Sequence, residues 1–197
     1  MAVNLDKSPL ADAAERICKE LPAHRVEILN GCMSVTQPPG GPHQESLTWL
    51  VEKFFRAGAR QAGLRYMQGI GLWLPTGPDD YAVPDFSVVH ADYRDALVEK
   101  NRYAPHVFRL VLEVTSSYRT YDTATKVDAY ARADVPAYII VDRTHDEALL
   151  HTDPADGKYP DPQRFKRGQS VPVPESVGIT LDLSVATLLD GDGDGDG

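Results

Sequence analysis

The apolar positions of the chain follow two periods, one typical of helices and one typical of strands. Between Leu47 and Phe54 they recur every three or four residues, which predicts an amphipathic helix packed on a core. The pair Ser8-Pro9 predicts the start of an earlier helix, and Ser184 is placed to cap a short helix near the end. The chain is therefore expected to carry helices near both ends and one that covers a core.

Short apolar runs bounded by turn residues predict strands. They are expected at 64–74, 82–89, 107–115, 136–142, 147–152, 163–167 and 170–173, with a hairpin over 25–36 turned at Asn30-Gly31. A helix is expected over 122–133, so the segment 107–142 reads strand, helix, strand. That order predicts a crossover unit with two parallel strands. The pattern as a whole predicts an α/β fold with a central mixed sheet flanked by helices.

Length and composition fit one folded domain. The chain has 197 residues, 42% of them hydrophobic and 25% charged, which suits a single core over residues 1–189. No apolar run approaches the roughly 20 residues that cross a bilayer, and no secretory signal is recognisable. Cys18 and Cys32 are not spaced as metal ligands. We therefore expect no disulfide framework, no membrane association and a cytoplasmic location.

The net charge of the chain is negative. It amounts to −9, which argues against a broad nucleic-acid-binding surface. The segment DGDGDGDG at 190–197 contributes to this charge and resembles the opening of a calcium-binding loop, but no glutamate follows at the twelfth position of such a loop. Its glycines predict a disordered acidic tail instead.

A carboxylate interrupts the strongest apolar strand. Glu113 stands within LVLEVTSS (110–117), and burying an unpaired charge costs several kcal/mol, so it should be neutralised, paired or bound to a metal. Asp85 begins another apolar strand directly after a proline, and Lys126 lies in the helix that leaves the Glu113 strand. Two carboxylates on neighbouring strands can bind a divalent cation. A lysine beside them can orient water or offset charge on a phosphate.

Several short motifs occur in a fixed order along the chain. They are EILNG (27–31), Gly41-Pro42-His43-Gln44, Pro84-Asp85, Leu112-Glu113-Val114 with Ser116, and KVDAYARADVPAYIIVD (126–142). In this order they resemble the prokaryotic Uma-type family of restriction endonucleases, in the PD-(D/E)XK nuclease superfamily. The resemblance covers roughly residues 22–189. It implies a restriction-endonuclease-like core and the hydrolysis of phosphodiester bonds in nucleic acid, with DNA favoured as the substrate.

The resemblance also implies roles for individual residues. Asp85 and Glu113 would bind Mg²⁺, or Mn²⁺ in its place, together with the Val114 carbonyl, and Lys126 would be the catalytic lysine. Two further polar positions of the family, which would line the site, fall on Glu27 and His43. A homodimer is compatible with the resemblance.

The sequence departs from the wider superfamily at one position. The lysine expected two residues after the strand carboxylate is absent, since Val114-Thr115 follows Glu113. The Uma-type family allows this lysine to come from the following helix, so Lys126 is expected to replace it.

These residues also have ordinary structural interpretations. Asp85 after a proline is typical of a turn, and Glu113 could form a structural ion pair with Arg109 or Arg119. Lys126 would ordinarily be a solvated helix residue. It borders the apolar stripe of its helix, however, so its stem can lie over the sheet with the amine at the carboxylates.

The remaining candidate residues also have both a structural and a functional interpretation. His43 opens a helix, where a surface histidine is the ordinary interpretation. Glu27 alternates with Leu29, which allows either a position at the edge of the core or a second carboxylate of a metal site. Tyr130 is expected to belong to the core.

Three functions are consistent with the sequence. The leading hypothesis is a Mg²⁺-dependent phosphodiesterase acting on nucleic acid. An alternative is a catalytically inactive nucleic-acid-binding or regulatory module of the same fold, which the acidic charge and the missing strand lysine favour. A third is an acid–base hydrolase that uses the two carboxylates without a metal, which leaves Lys126 unexplained.

Overall fold

The computed structural model describes residues 8–115 and 120–191, apart from the side chains of 120–123. Ser116, Arg119 and the aspartates of the tail beyond Gly191 lie outside the described residues. The elements in chain order are α1 (Pro9–Glu20), β1 (Arg25–Leu29), β2 (Cys32–Thr36), α2 (Gly41–Arg56), β3 (Leu64–Met67), β4 (Gly71–Trp73), β5 (Tyr81–Ala82), β6 (Phe86–His90), β7 (Leu97–Glu99), β8 (Arg102–Tyr103), β9 (Phe108–Thr115), α3 (Thr120–Arg132), β10 (Ala137–Asp142), β11 (Glu147–Thr152), β12 (Gln163–Lys166), β13 (Ser170–Pro172), β14 (Asp182–Ser184) and α4 (Val185–Asp190). None of the described helices is long and apolar enough to cross a membrane.

The centre of the fold is a six-stranded mixed sheet in the order β12-β11-β10-β9-β6-β3. The strands β9 and β10 are parallel and joined by α3, while the other neighbours pair in antiparallel fashion. A parallel pair needs a crossover connection, and α3 provides it. The predicted α/β class, the mixed central sheet and the crossover unit over 107–142 are confirmed.

A second six-stranded sheet, in the order β2-β1-β5-β4-β8-β7, was not expected. The predicted strand over 64–74 is wrong, because the chain turns at Gly69 with φ of 65° and places β3 and β4 in different sheets. The predicted strand over 82–89 is likewise divided into β5 and β6 around Pro84, which cannot donate a ladder hydrogen bond. Elements this short carry too little periodicity to be recognised.

The two faces of the central sheet pack against different elements. One face packs against α2 and α4 in a core that includes Leu110, Leu112 and Val114 of β9. The other face packs against α3 and the second sheet, and Val111 points into that core. Side chains alternate along a strand, so Glu113 lies on the same face as Val111. The carboxylate therefore points toward α3 and the second sheet.

Candidate active site

Strand β1 brings two charged side chains to the α3 side of the central sheet. Arg25 and Glu27 are two residues apart and share a face with Leu29, which is part of the α3-side core. The turn at Asn30-Gly31 fixes this register with φ angles of 49° and 71°. Both turn N–H groups donate to the Asp80 carboxylate, at 2.7 and 3.0 Å. The hairpin thus holds a buried glutamate and a partly buried arginine on the same face.

Lys126 joins two glutamates from different parts of the chain. Its Nζ lies 2.9 Å from Glu113 Oε1 and 2.9 Å from Glu27 Oε1, and the lysine is only 3% exposed. Glu27 Oε1 also accepts from the Val83 N–H at 2.7 Å, and the Tyr130 hydroxyl donates to Glu113 Oε1 at 2.8 Å. The lysine is buried with its amine at the carboxylates, as the sequence predicted. Its amine is held at one position between two carboxylates.

Asp85 immediately precedes β6, the strand that pairs with β9, which carries Glu113. Its Oδ2 accepts from the Val114 N–H at 2.8 Å and lies 3.2 Å from His43 Nε2, and its Oδ1 is ion-paired with Arg25. Burial alone would raise the pKa of Asp85. The close contact with His43, the charge of Arg25 and the hydrogen bond from the Val114 N–H outweigh burial and hold that pKa well below its ordinary value.

The site contains more negative than positive charge. Arg25 is also 3.7 Å from Glu113 Oε2 through its second terminal nitrogen, so one guanidinium contacts both Asp85 and Glu113. With Glu27, three carboxylates then face two permanent cations, Arg25 and Lys126. Burial first, and then the charges of Asp85 and Glu27, raise the pKa of Glu113 to about 7 despite the opposing cations. A proton or a metal cation can balance this excess charge.

Five of these residues form one side of an open cleft, namely Arg25, His43, Asp85, Glu113 and Lys126. Its volume is about 500 Å³, and the segment 37–40 and Pro42 form another part of its lining. Asp85, Glu113 and Lys126 all line the cleft, and so does Thr115 at the end of β9. Because the cleft is open to solvent, an extended substrate could reach the carboxylates.

The donor set of the site fits a hard divalent cation. Among residues 8–115 and 120–191, no group of three or more His, Cys, Asp or Glu side chains is arranged to hold a metal ion. Mg²⁺, however, is commonly held by one or two carboxylates and completes its shell with water and substrate oxygens. Asp85 and Glu113 direct oxygens at the same guanidinium, and Glu27 Oε2 is buried without a hydrogen-bond partner. Two converging carboxylates and a nearby unsatisfied oxygen suit such an ion.

The structure brings together the side chains of all five predicted polar residues. They are Glu27, His43, Asp85, Glu113 and Lys126.

Three ordinary interpretations are wrong. Lys126 is not a solvated helix residue, since it is only 3% exposed. His43 is not a plain surface histidine, since its side chain is 14% exposed and contacts Asp85 from the first turn of α2. Arg109 is not the partner of Glu113 and donates instead to the Ser176 carbonyl. The other proposed partner, Arg119, lies outside the described residues.

Sequence reasoning missed three features of the site. Arg25 was not singled out, because an arginine at the start of a strand is unremarkable and no local pattern distinguishes it. Tyr130 is a core residue as expected, but its hydroxyl also contacts the site. Arg143 lines the cleft and donates to the carbonyls of Leu189 and Pro42, contacts that no local pattern indicates.

Comparisons with known proteins agree with this architecture. The Uma2 family, described as "Putative restriction endonuclease", matches residues 11–186. A crystal structure from Anabaena variabilis, described as "a putative nuclease belonging to DUF820", superposes with a TM-score of 0.65 at 18% sequence identity. The superposition covers 83% of this chain and 89% of that one, which shows that the two share a fold. No curated protein matches the sequence. The chain belongs to the Uma2 family and has a restriction-endonuclease-like fold.

Proposed function

We propose that the protein is a Mg²⁺-dependent nuclease that hydrolyses phosphodiester bonds of nucleic acid, with DNA as the favoured substrate. The observation that carries this proposal is the position of Lys126, whose amine lies 2.9 Å from Glu113 beside an open cleft. The description of the family as a restriction endonuclease supports the same class of reaction. Mn²⁺ is expected to substitute for Mg²⁺, since both take oxygen ligands.

Asp85 and Glu113 are the residues that would hold the metal, with the Val114 carbonyl as a third ligand. The Val114 N–H fixes the orientation of Asp85 at 2.8 Å, so the aspartate is positioned before a metal binds. A divalent cation bound there would polarise the phosphate and lower the pKa of water. His43 lies 3.2 Å from Asp85 Oδ2 and contributes to the lowered pKa of that carboxylate.

Lys126 acts on the reacting groups through its charge. An ammonium fixed between two glutamates is a preorganised cation, which can stabilise the negative charge that develops on a phosphate and orient the attacking water. Tyr130 and Glu27 keep this arrangement in place by hydrogen bonds to Glu113 and to Lys126. The protein thus supplies the electrostatic positions that phosphodiester hydrolysis requires.

The experiment that tests the proposal is incubation with end-labelled duplex and single-stranded DNA in Mg²⁺, Mn²⁺ or EDTA. We expect cleavage with either metal, none with EDTA, and none by an Asp85→Asn variant. Binding of DNA without cleavage under all conditions would contradict the proposal and support an inactive nucleic-acid-binding module. Cleavage that continues in EDTA would favour carboxylate chemistry without a metal.

A further inference from the structure

Arg25 contacts both carboxylates to which the metal is assigned. One terminal nitrogen pairs with Asp85 Oδ1, and the other lies 3.7 Å from Glu113 Oε2. A guanidinium is a planar fork whose donors suit two carboxylate oxygens at once. Arg25 therefore holds the two carboxylates in place with a single positive charge.

The position of Arg25 is only partly enclosed. Its side chain is 19% exposed, compared with 3% for Asp85 and 9% for Glu113. It lines the carboxylate cleft and also a second cavity of about 390 Å³, and the segment 37–39 lines both. An arginine at the junction of two solvent-accessible hollows has space to turn away from the carboxylates without unfolding β1.

A divalent cation and this guanidinium compete for the same oxygen atoms. Two like charges a few ångströms apart repel each other strongly in a partly buried site. The carboxylates would repel each other if neither cation were present. One cation must therefore replace the other for Asp85 and Glu113 to bind a metal together.

We propose that Arg25 is an exchangeable internal cation, which bridges Asp85 and Glu113 in the metal-free protein and turns into the cleft when a divalent cation binds. Its guanidinium then faces the substrate phosphate, which it can bind through two hydrogen bonds. The replacement of Arg25 by the metal concerns metal binding alone. The binding of phosphate by Arg25 rests on the proposed nuclease function. Arg25 thus stabilises the two carboxylates in the metal-free protein and binds the substrate phosphate in the metal-bound protein.

The test is a calorimetric Mg²⁺ titration of EDTA-stripped wild type, Arg25→Gln and Arg56→Gln. Arg56 is the matched control, because its side chain is 73% exposed and it pairs with Glu52 on α2. Removing the competing charge should tighten Mg²⁺ binding by about tenfold in Arg25→Gln. The Arg56→Gln variant should bind as the wild type does.

A structural role for Arg25 gives the opposite result. If Arg25 only supported the carboxylates, Arg25→Gln would bind Mg²⁺ more weakly than the wild type, and the exchange would be wrong. Should Arg25→Gln fail to fold, the exchange can be followed in the wild type by nitrogen NMR of the arginine guanidinium groups. If the protected Arg25 signal persists at saturating Mg²⁺, the proposed exchange is overturned. If Mg²⁺ abolishes that signal, the exchange is supported.

Cleavage distinguishes this inference from the proposed function. Tighter metal binding together with at least about tenfold slower cleavage at limiting DNA by Arg25→Gln supports the complete proposal. Tighter metal binding with unchanged cleavage would overturn the phosphate-binding step. A wild type that binds Mg²⁺ but cleaves no nucleic acid would contradict the proposed function and leave the exchange supported by the titration. A wild type that binds no Mg²⁺ would overturn both.

Discussion

Lys126 Nζ lies 2.9 Å from Glu113 Oε1, although the lysine belongs to α3 and the glutamate to the interior of β9. The crossover connection from β9 to β10 places the helix over the face from which Glu113 projects. A lysine on the buried side of α3 can therefore reach the position that a lysine two residues along the strand would occupy. We therefore expect the Lys126 amine to serve in place of a strand lysine, although it comes from a different element.

Moving the lysine back to the strand should recover part of its effect. Thr115 lines the cleft and lies on the same face of β9 as Glu113. Adding Thr115→Lys to a Lys126→Ala variant should raise the rate of DNA cleavage above that of Lys126→Ala alone. Thr115→Met in the same background controls for side-chain size. If the lysine and methionine double variants cleave equally slowly, an amine from position 115 does not replace Lys126.

Glu113→Gln should separate metal binding from stability. The substitution keeps the shape of the side chain and removes one negative charge from a site that has an excess of it, so the fold should persist without metal. Mg²⁺ should no longer raise the melting temperature, and cleavage should be lost. If Glu113 were only a structural ion-pair partner, removing it would cost about 3 to 5 kcal/mol of stability, which urea unfolding would detect.

Glu147→Gln is the matched control for that variant. Glu147 is also a buried carboxylate, 3% exposed, but it pairs with Arg164 and Lys166 on the opposite edge of the sheet. We expect this substitution to lower stability and to leave the Mg²⁺-induced rise in melting temperature intact. A loss of the metal response here would show that the response does not report on the proposed site.

Folding raises the pKa of Glu113 from its ordinary value of 4.5 to about 7. The metal-free protein should therefore lose stability as the pH rises between these two values. Because folding raises this pKa, the folded state retains a proton that the unfolded state has released, and the stabilisation is fully present only below the lower value. A shift of this size corresponds to about 3 kcal/mol. Urea unfolding in EDTA at several pH values measures it, and Glu113→Gln should lack this component. Equal pH dependence of the variant and the wild type would contradict the assignment.

The hydroxyl of Tyr130 should matter for activity as well as for stability. Tyr130→Phe removes the donor that lies 2.8 Å from Glu113 Oε1 and leaves the ring packing. We expect a loss of about 1 to 3 kcal/mol and slower cleavage. Tyr159→Phe is the control, since it removes a hydroxyl that donates to the Val135 carbonyl at 2.6 Å. Equal cleavage by the two variants would show that the Tyr130 hydroxyl is structural only.

The longer elements of the fold could be predicted because their signals are local. The crossover unit follows from apolar runs and helical periodicity within 107–142, and the hairpin from the left-handed conformation that Asn30-Gly31 favours. The second sheet could not be predicted, because β5 and β8 have two residues each and pair with strands distant in sequence. Their positions depend on packing rather than on their own pattern.

The charged residues of the site were partly predictable for a similar reason. Glu113 and Lys126 are conspicuous as polar groups on apolar faces, so their burial and their proximity follow from local periodicity. Arg25 sits at the start of a strand, where an arginine is unremarkable, and its role depends on the approach of β1 to β6. A contact between two sheets has no signature in either segment.

The most direct test is the rate of DNA cleavage by a Lys126→Met variant in saturating Mg²⁺. Methionine keeps the apolar stem of the buried lysine and removes its charge. Lys19→Met, an exposed position on α1, is the control, and circular dichroism verifies folding. We predict that Lys126→Met cleaves at least about a hundredfold more slowly than the wild type, while Mg²⁺ still raises its melting temperature. Cleavage at the wild-type rate would show that Lys126 is a structural ion-pair residue and would contradict the proposed active site.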